Sequence, residues 1–492
     1  MARRIRWLGV AMTVCFLALF LQLNNVQYRQ AHKFATDRNN PSVIAAEYDQ
    51  PRGAILSADG AVLAESVQTT QGAYKYVRRY PTGSLFGQIT GYLPIGGQAT
   101  GVEAWYSSYL AQHNRPVKTI GDLLTTPVVT DTVTLTLSKS LMSTSQKALN
   151  GRDGAIVVLD PTSGAILSMY SNPTYDPNPL AANDATTVND AYKADITKDP
   201  VSGFAPATSL AYQDFFQPGS TFKVVTSAAT YEHAPTLVNA SMPYYTCIPP
   251  HTFLGQSTQL CNFGGGGCGG NIAQMLPPSC DTGFAILGTR VGAANMTAQA
   301  DAFGFNQQPP IDLPHSRFEV SDFLQPSCYQ NAQVFLAFSS IGQKCTIATP
   351  LQLAMVAAGI ANGGVVMTPH VMYEIRDSQN NLVTRYLPTP WHLATSQKTA
   401  YAIRDLMRRV VQGGTASGVG FPPQDDVAAK TGTAQVGQAN SLTTDWMIAF
   451  APAGNPKVAV AVAMPHQPRD ETGAQVAGPI VKAMIEAALA GQ

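Results

Sequence analysis

The first pattern along the chain is an uncharged run from Trp7 to Leu23, preceded by Arg3, Arg4 and Arg6. It lies at the short end of the roughly 17–25 apolar residues that span a bilayer. The basic flank predicts a cytoplasmic amino terminus. No A-x-A-type cleavage site directly follows the run; Gln22, Asn24, Asn25, Gln27 and Tyr28 stand there instead. The segment therefore reads as an uncleaved anchor and not as a signal peptide. No later segment is apolar for long enough to span, which places everything beyond residue 24 outside the membrane.

Residues 24–148 are polar and turn-rich, interrupted by Pro41, Pro51, Pro81, Pro94 and Pro116. Two short β-type runs, Ala54 to Ser57 and Ala61 to Ala64, flank the turn Ala58-Asp59-Gly60 and predict a hairpin. With no catalytic cluster, this stretch reads as a β-rich pedestal. Near Arg152 the texture changes. Gly154 to Asp160 and Ala165 to Ser171 predict strands joined by Pro161-Thr162-Ser163-Gly164. At the far end, Val427 to Ala434, Thr444 to Pro452 and Val458 to Pro465 predict an antiparallel meander. Between and after them, helical patterning covers Ser220 to Glu232, Pro350 to Ala361, Thr399 to Gln412 and Pro479 to Ala490. Strands at both ends of a helical middle imply an α+β domain over 149–492 whose sheet unites its own termini. The expected organisation is a tail at 1–6, an anchor at 7–23, the pedestal at 24–148 and this domain at 149–492.

Composition narrows the function. Lys plus Arg equals Asp plus Glu at 31 each in 492 residues, so no broad electrostatic pull toward nucleic acid is expected. The eight histidines show no HExxH or other ligand spacing, and the cysteines form no CxxC pattern. Neither a metal nor an organic cofactor is expected. Cys15 lies in the anchor, leaving Cys247, Cys261, Cys268, Cys280, Cys328 and Cys345 in the exported part, where disulfides persist. A Cys268–Cys280 bridge is expected to tie down the stretch Phe263 to Asn271. The Gly-rich run from Gly264 to Gly270 lacks a following Lys-Ser/Thr, so it is expected to be a flexible loop and not a phosphate cradle.

Three short motifs carry candidate chemistry. In Pro218-Gly219-Ser220-Thr221-Phe222-Lys223 a loop ends and an apolar helix begins. Ser220 and Lys223, at i and i+3, share a helix face, so the amine reaches the hydroxyl. Burial disfavours the ammonium, making Lys223 a base for Ser220. Lys430-Thr431-Gly432-Thr433 falls on a predicted strand, where alternation sets Thr431 and Thr433 on one face to bind a substrate carboxylate, with Lys430 supplying positive charge. Gly432 leaves room for other backbone to pack close. An extended peptide lying along this strand would meet an oxyanion hole built from the Ser220 and Thr433 N–H groups. The third motif is Ser279-Cys280-Asp281. Alone the triplet reads better as a helix N-cap supplied by Ser279 or Asp281, but a serine between two lysines could relay a proton to a leaving amine.

SxxK, a Ser-x-Asp about 60 residues on and KTGT about 150 further follow the order of the penicillin-recognising serine acyl transferases. The chain resembles the class B penicillin-binding proteins, above all their actinobacterial A-type members. Pro51-Arg52-Gly53-Ala54-Ile55, Leu159-Asp160-Pro161, Gly342-Gln343, Thr349-Pro350-Leu351-Gln352, Trp446 and Phe450-Ala451-Pro452 carry the resemblance beyond the motifs. It implies the penicillin-binding transpeptidase fold: a five-stranded antiparallel sheet with helices on both faces and an all-helical subdomain. It further implies Ser220 as nucleophile, Lys223 as its base, Ser279 as proton relay, and Lys430, Thr431 and Thr433 as the carboxylate site. One position departs, since the family usually has Asn where Asp281 stands. A carboxylate only accepts hydrogen bonds, so Asp281 must stay protonated, pair with a lysine or bind substrate differently.

The expected activity is D,D-transpeptidation. A Ser220 acyl-enzyme would form from one stem peptide and pass to the amine of another, and β-lactams would block it by acylating Ser220. Expected partners are stem peptides, glycan strands, a membrane glycosyltransferase and division proteins. A D,D-carboxypeptidase or β-lactamase sharing the site and passing the acyl group to water, or a non-catalytic scaffold of a division or elongation complex, are the alternatives.

Overall fold

The computed structural model describes residues 2–30, 48–70, 74–95, 97–114, 128–249, 259–314, 319–330, 332–436 and 441–491. Met1, Pro41 and Pro116 lie outside these residues. The apolar run folds as helix α1 (Ala2–Asn24), 23 residues long, which at the usual rise is about 34 Å. It is long and apolar enough to cross a membrane. Trp7, Leu8, Phe16 and Phe20 stand exposed along it, as expected of a helix apolar on every side.

In the pedestal, β1 (Ile55–Leu56) and β2 (Val62–Gln68) form the expected hairpin. Gly60, at φ +76°, takes the left-handed turn position that a side chain disfavours. Asp59 in that turn accepts the Ser57 hydroxyl at 2.6 Å and the backbone N–H groups of Lys139 and Ser140 at 2.9 and 3.1 Å. The turn is thereby fastened to the start of a helix in the next layer. Strands β3 (Tyr76–Arg79) and β4 (Thr132–Leu135) extend the sheet. Behind it Glu103, fully buried, is held between Arg52 at 2.8 Å and Arg78 at 2.6 Å. A buried carboxylate is tolerable only with such partners.

Further along the chain come α2 (Lys139–Leu149), β5 (Gly154–Leu159), β6 (Ile166–Asn172), α3 (Lys223–His233), α4 (Asp281–Val291), α5 (Pro350–Ala361), β7 (Met372–Arg376), β8 (Leu382–Arg385), α6 (Gln397–Gly413), β9 (Ala428–Val436), β10 (Leu442–Ala451), β11 (Val458–Pro468) and α7 (Gly478–Ala490). The main sheet runs β9-β10-β11-β5-β6, antiparallel throughout, so strands from the two ends of the domain meet between β11 and β5. Every residue of β5, and Val458 through Met464 in β11, is buried. Side chains alternate across a sheet, so both faces must be covered. Every residue of α5 is buried as well.

Two elements cross the boundary expected near residue 148. Helix α2 packs on the main sheet and α7: Ser145 Oγ lies 2.9 Å from Ser168 Oγ in β6 and 3.5 Å from Met484 Sδ in α7. The hairpin β7–β8, far along the chain, joins the pedestal sheet, whose order is β8-β7-β4-β1-β2-β3, with Ile375 opposite Val133. The pedestal sheet and the main sheet are thus stitched together twice.

Candidate active site

Ser220 sits in a single 3-10 turn, Gly219–Phe222, that runs straight into α3. In such a turn positions i and i+3 eclipse, so Ser220 and Lys223 lie even closer to one line than on the α-helix expected. Lys223 Nζ is 2.9 Å from Ser220 Oγ. The turn is set by backbone packing. Gly219, at φ +53°, donates its N–H to the Gly342 carbonyl at 2.8 Å. A Cβ on Gly219 would come within 2.9 Å of the Thr433 carbonyl oxygen, so the serine turn lies directly against strand β9. From the other side, a Cβ on Gly432 would meet the Pro218 carbonyl at 2.8 Å. Trp446 secures the approach to the turn by donating from Nε1 to the Gln217 carbonyl at 2.9 Å.

Lys223 is fully buried, its Nζ 5.7 Å from the centre of the Phe284 ring. Besides Ser220 it donates to the Ser279 carbonyl at 2.7 Å and to Asp281 Oδ1 at 2.6 Å, and it lies 3.3 Å from Ser279 Oγ. Burial lowers its pKa from the usual lysine value, and the Asp281 carboxylate partly offsets this. Lys430, equally buried, donates to Ser279 Oγ and to the Thr431 carbonyl, both at 2.8 Å. Burial, reinforced by the charge of Lys223, holds its ammonium well below the usual range. Ser279 therefore stands between the two amines. Its φ of +62° is unusual for a residue with a side chain; it turns the carbonyl toward Lys223 while the hydroxyl meets Lys430.

The structure brings Ser220, Lys223, Ser279, Asp281 and Lys430 into one hydrogen-bonded cluster. The two threonines of KTGT part company. Thr431 is buried and its hydroxyl shares a 2.5 Å hydrogen bond with Thr415, whereas Thr433 lines a cleft of about 1250 Å³ and accepts the Gly473 N–H at 3.1 Å. Asp281, Asn262, Phe263, Gln217 and Arg469 line the same cleft. Asp281 neither stands alone nor faces only the cleft: it pairs with Lys223, one of the arrangements open to a carboxylate here.

The expected Cys268–Cys280 bridge is present and clamps the residue between Ser279 and Asp281 to the Gly-rich stretch. Cys247–Cys261 and Cys328–Cys345 are bridged too. The Gly-rich run is less free than expected. Cys268–Gly270 forms a strand against Met242–Tyr245, Asn262 Oδ1 accepts the Thr282 N–H at 2.9 Å, and the Phe263 N–H donates to Asp281 Oδ2 at 3.0 Å. Glycine content signals flexibility only when nothing anchors the backbone, and here a disulfide and a helix N-terminus do. Thr415, Phe284 and Asn262 were not singled out by sequence; they carry no motif and reach the site only through tertiary packing. Asp445, opposite Thr433 on β10, did have a signal: a lone acid in an apolar strand. It is fully buried, and burial pushes its carboxyl up to about 7. Among the described residues no cluster of His, Cys, Asp or Glu is suited to a metal ion.

Comparison with known proteins places the chain among relatives of the same family and fold. Residues 154–486 match the penicillin binding protein transpeptidase domain, and residues 52–126 match the penicillin binding protein A dimerisation domain. The peptidoglycan D,D-transpeptidase PbpA of Mycolicibacterium smegmatis is 33% identical over 99% of this chain and 98% of its own. That of Mycobacterium tuberculosis is 32% identical over 99% of both. A solved structure of penicillin-binding protein A from M. tuberculosis, a ceftriaxone acyl-enzyme complex, superposes with a TM-score of 0.81 at 31% identity, covering 90% of this chain and 100% of that one. The D,D-transpeptidase domain of a peptidoglycan glycosyltransferase from Eggerthella lenta gives 0.75 at 29% identity, covering 90% and 99%.

Proposed function

This chain belongs to the penicillin-binding protein transpeptidase family, and from that premise we propose that its acyl transfer runs through Ser220. The protein is a serine-type peptidoglycan D,D-transpeptidase, inhibited by covalent β-lactam binding. Ser220 Oγ attacks the penultimate D-Ala carbonyl of a stem peptide, and its proton passes to Lys223. The C–N bond to the terminal D-Ala then breaks, the leaving amine taking a proton through Ser279, which both lysines contact. The amine of a neighbouring stem peptide attacks the ester, forming the cross-link and restoring the Ser220 hydroxyl.

Backbone N–H groups of Ser220 and Thr433 form the oxyanion hole in this reading, supported by the contact between the Gly219 turn and Thr433. Thr433 in the cleft is the hydroxyl that meets the substrate carboxylate, with Thr431 and Lys430 behind it as supports. Gly432 lets the Pro218 backbone close on the strand. Residues 7–23 serve as the anchor, 24–148 as the pedestal and 149–492 as the transpeptidase domain. The membrane-anchored chain has its amino terminus inside and its catalytic domain outside, where a membrane glycosyltransferase supplies glycan strands and division proteins assemble with it.

One observation carries the assignment of nucleophile: Lys223 Nζ, fully buried, lies 2.9 Å from Ser220 Oγ. Labelled penicillin should mark the wild type and not Ser220→Ala; equal labelling would remove Ser220 from its role. Purified protein supplied with lipid-linked glycan and a glycosyltransferase should yield cross-linked dimer, whereas release of D-Ala without dimer would point to a carboxypeptidase.

A further inference from the structure

Asp281 opens α4 and aims its carboxylate at Lys223. Its Oδ1 lies 2.6 Å from Nζ, nearer than the Ser279 carbonyl at 2.7 Å or the Ser220 hydroxyl at 2.9 Å. Its second oxygen is fixed by the Phe263 N–H at 3.0 Å. The Asp281 side chain is 13% exposed and that of Lys223 is not exposed at all, so the pair is poorly screened.

The proton count at Nζ is what matters. An ammonium has three protons, and Asp281, the Ser279 carbonyl and Ser220 Oγ can take all three. Ser220 is then an acceptor and cannot hand its own proton to that nitrogen. A neutral amine has two protons and a lone pair. Given to Asp281 and the Ser279 carbonyl, the two protons leave the lone pair for the Ser220 O–H. The same geometry thus serves a resting and an active state, and the charge at position 281 favours the first.

Among the described residues few other charges bear on Lys223. On β9, Lys430 faces it across Ser279 Oγ, and there burial and the charge of Lys223 disfavour the Lys430 ammonium. Arg290 sits at the opposite end of α4. On α6, Arg404 and Arg408 are taken up by Asp405 and Asp426, and Arg409 acts on Tyr231. Glu232, on the same helix as Lys223, binds Ser396, and Asp301 on the helix Ala293–Ala302 accepts from Asn306. The balance at Nζ is therefore between burial, which disfavours the ammonium, and Asp281, which favours it.

We propose that Asp281 is a positioning residue that holds Lys223 as an ammonium in the resting site, so that Ser220 becomes reactive only at higher pH than an amide at this position would require. The inference rests on Ser220 being the acylated residue. For acylation to proceed, Nζ first loses one proton to solvent. Ser220 Oγ then passes its proton to Nζ as the Oγ–C bond forms, and the departing nitrogen receives that proton as the C–N bond breaks. Activity needs the neutral amine, present above its pKa. A carboxylate raises that pKa, so removing its charge moves the acid limb of the rate profile to lower pH.

The test is the second-order rate of acylation of the full chain, in detergent, by a fluorescent penicillin between pH 5 and 10. An opposite charge this close shifts a pKa by about 1–3. Asp281→Asn should therefore move the acid limb down by about one pH unit or more, raising the rate well below the limb by about tenfold for each unit. Asp281→Ser, which removes the charge with a different shape, should move it the same way and serves if the amide variant does not fold. An acid limb at or above the wild-type position in a folded variant overturns the proposal. Labelling of Ser220→Ala in the same assay would instead overturn the assignment of nucleophile, so the two failures are separable.

Discussion

A side chain at Gly342 would collide with Gly219: its Cβ would stand 2.1 Å from the Gly219 carbonyl oxygen, while the Gly219 N–H donates to the Gly342 carbonyl at 2.8 Å. Gly342 itself sits at φ +76°, which adds strain to any replacement. Because Gly219 directly precedes the nucleophile, Gly342→Ala should push the Ser220 turn off β9. A displacement near 1 Å is enough to reduce catalysis by about a hundredfold. Penicillin acylation rates should fall by that order. An acylation rate within a few-fold of wild type would show that the turn does not depend on this contact.

Ser279 Oγ receives Lys430 at 2.8 Å and lies 3.3 Å from Lys223. If it relays the proton to the leaving amine, Ser279→Ala should cost about 10²–10⁴ in acylation, the usual range for a positioned proton donor. Thr431→Val should cost much less, because its hydroxyl bonds only Thr415 among the described residues and does not reach the cleft. Comparing the two variants separates a role in proton transfer from a role in supporting the strand.

Much of this site was legible because its logic is local. SxxK needs only one helical turn, KTGT only one strand, and the sheet closing its own termini follows from strands at both ends of a helical middle. What escaped depends on pairings between distant segments. Nothing in Met372–Arg376 or Leu382–Arg385 announces that these short, partly exposed strands belong to the pedestal, since their partner Thr132–Leu135 lies far away in the chain. Thr415 likewise gains meaning only from Thr431. The Gly-rich run misled for the opposite reason: composition suggested freedom, while the Cys268–Cys280 bridge and the strand pairing of Cys268–Gly270 remove it.

Glu103 belongs with these in the pedestal, because nothing in the sequence pairs it with Arg52 and Arg78, 51 and 25 residues away. Glu103→Ala would remove the buried carboxylate that Arg52 and Arg78 share, and breaking a buried pair in this way costs about 3–5 kcal/mol. Burial works to raise the Glu103 pKa, but Arg78 and Arg52 outweigh it and hold the carboxyl below its ordinary value. A depressed folded-state pKa stabilises the fold above the unfolded value, about 4.3, and that contribution is lost as pH falls through the folded value. Thermal denaturation should show the wild type losing stability below about pH 4.3, with Glu103→Ala already low and flatter there. Parallel curves would mean the triad does not govern acid stability.

Asp445 makes the opposite prediction. It lies fully buried on β10, opposite Thr433, and burial pushes its carboxyl up to about 7, only partly offset by the Thr433 and Thr443 hydroxyls. An acid whose pKa is raised on folding binds its proton more tightly in the folded state. Its ionisation therefore opposes folding: the penalty is absent below the unfolded value, about 3.9, grows as pH rises, and is complete above about 7. Asp445→Asn keeps the shape and removes the charge. It should leave the Tm nearly unchanged at pH 4 and raise it at pH 8. The same substitution bears on function, since an ionised Asp445 behind Thr433 would repel the substrate carboxylate. Wild-type acylation should therefore decline on the alkaline side earlier than that of Asp445→Asn. Equal Tm differences at both pH values would show that the carboxyl stays neutral throughout, or that the strand opens to solvate it.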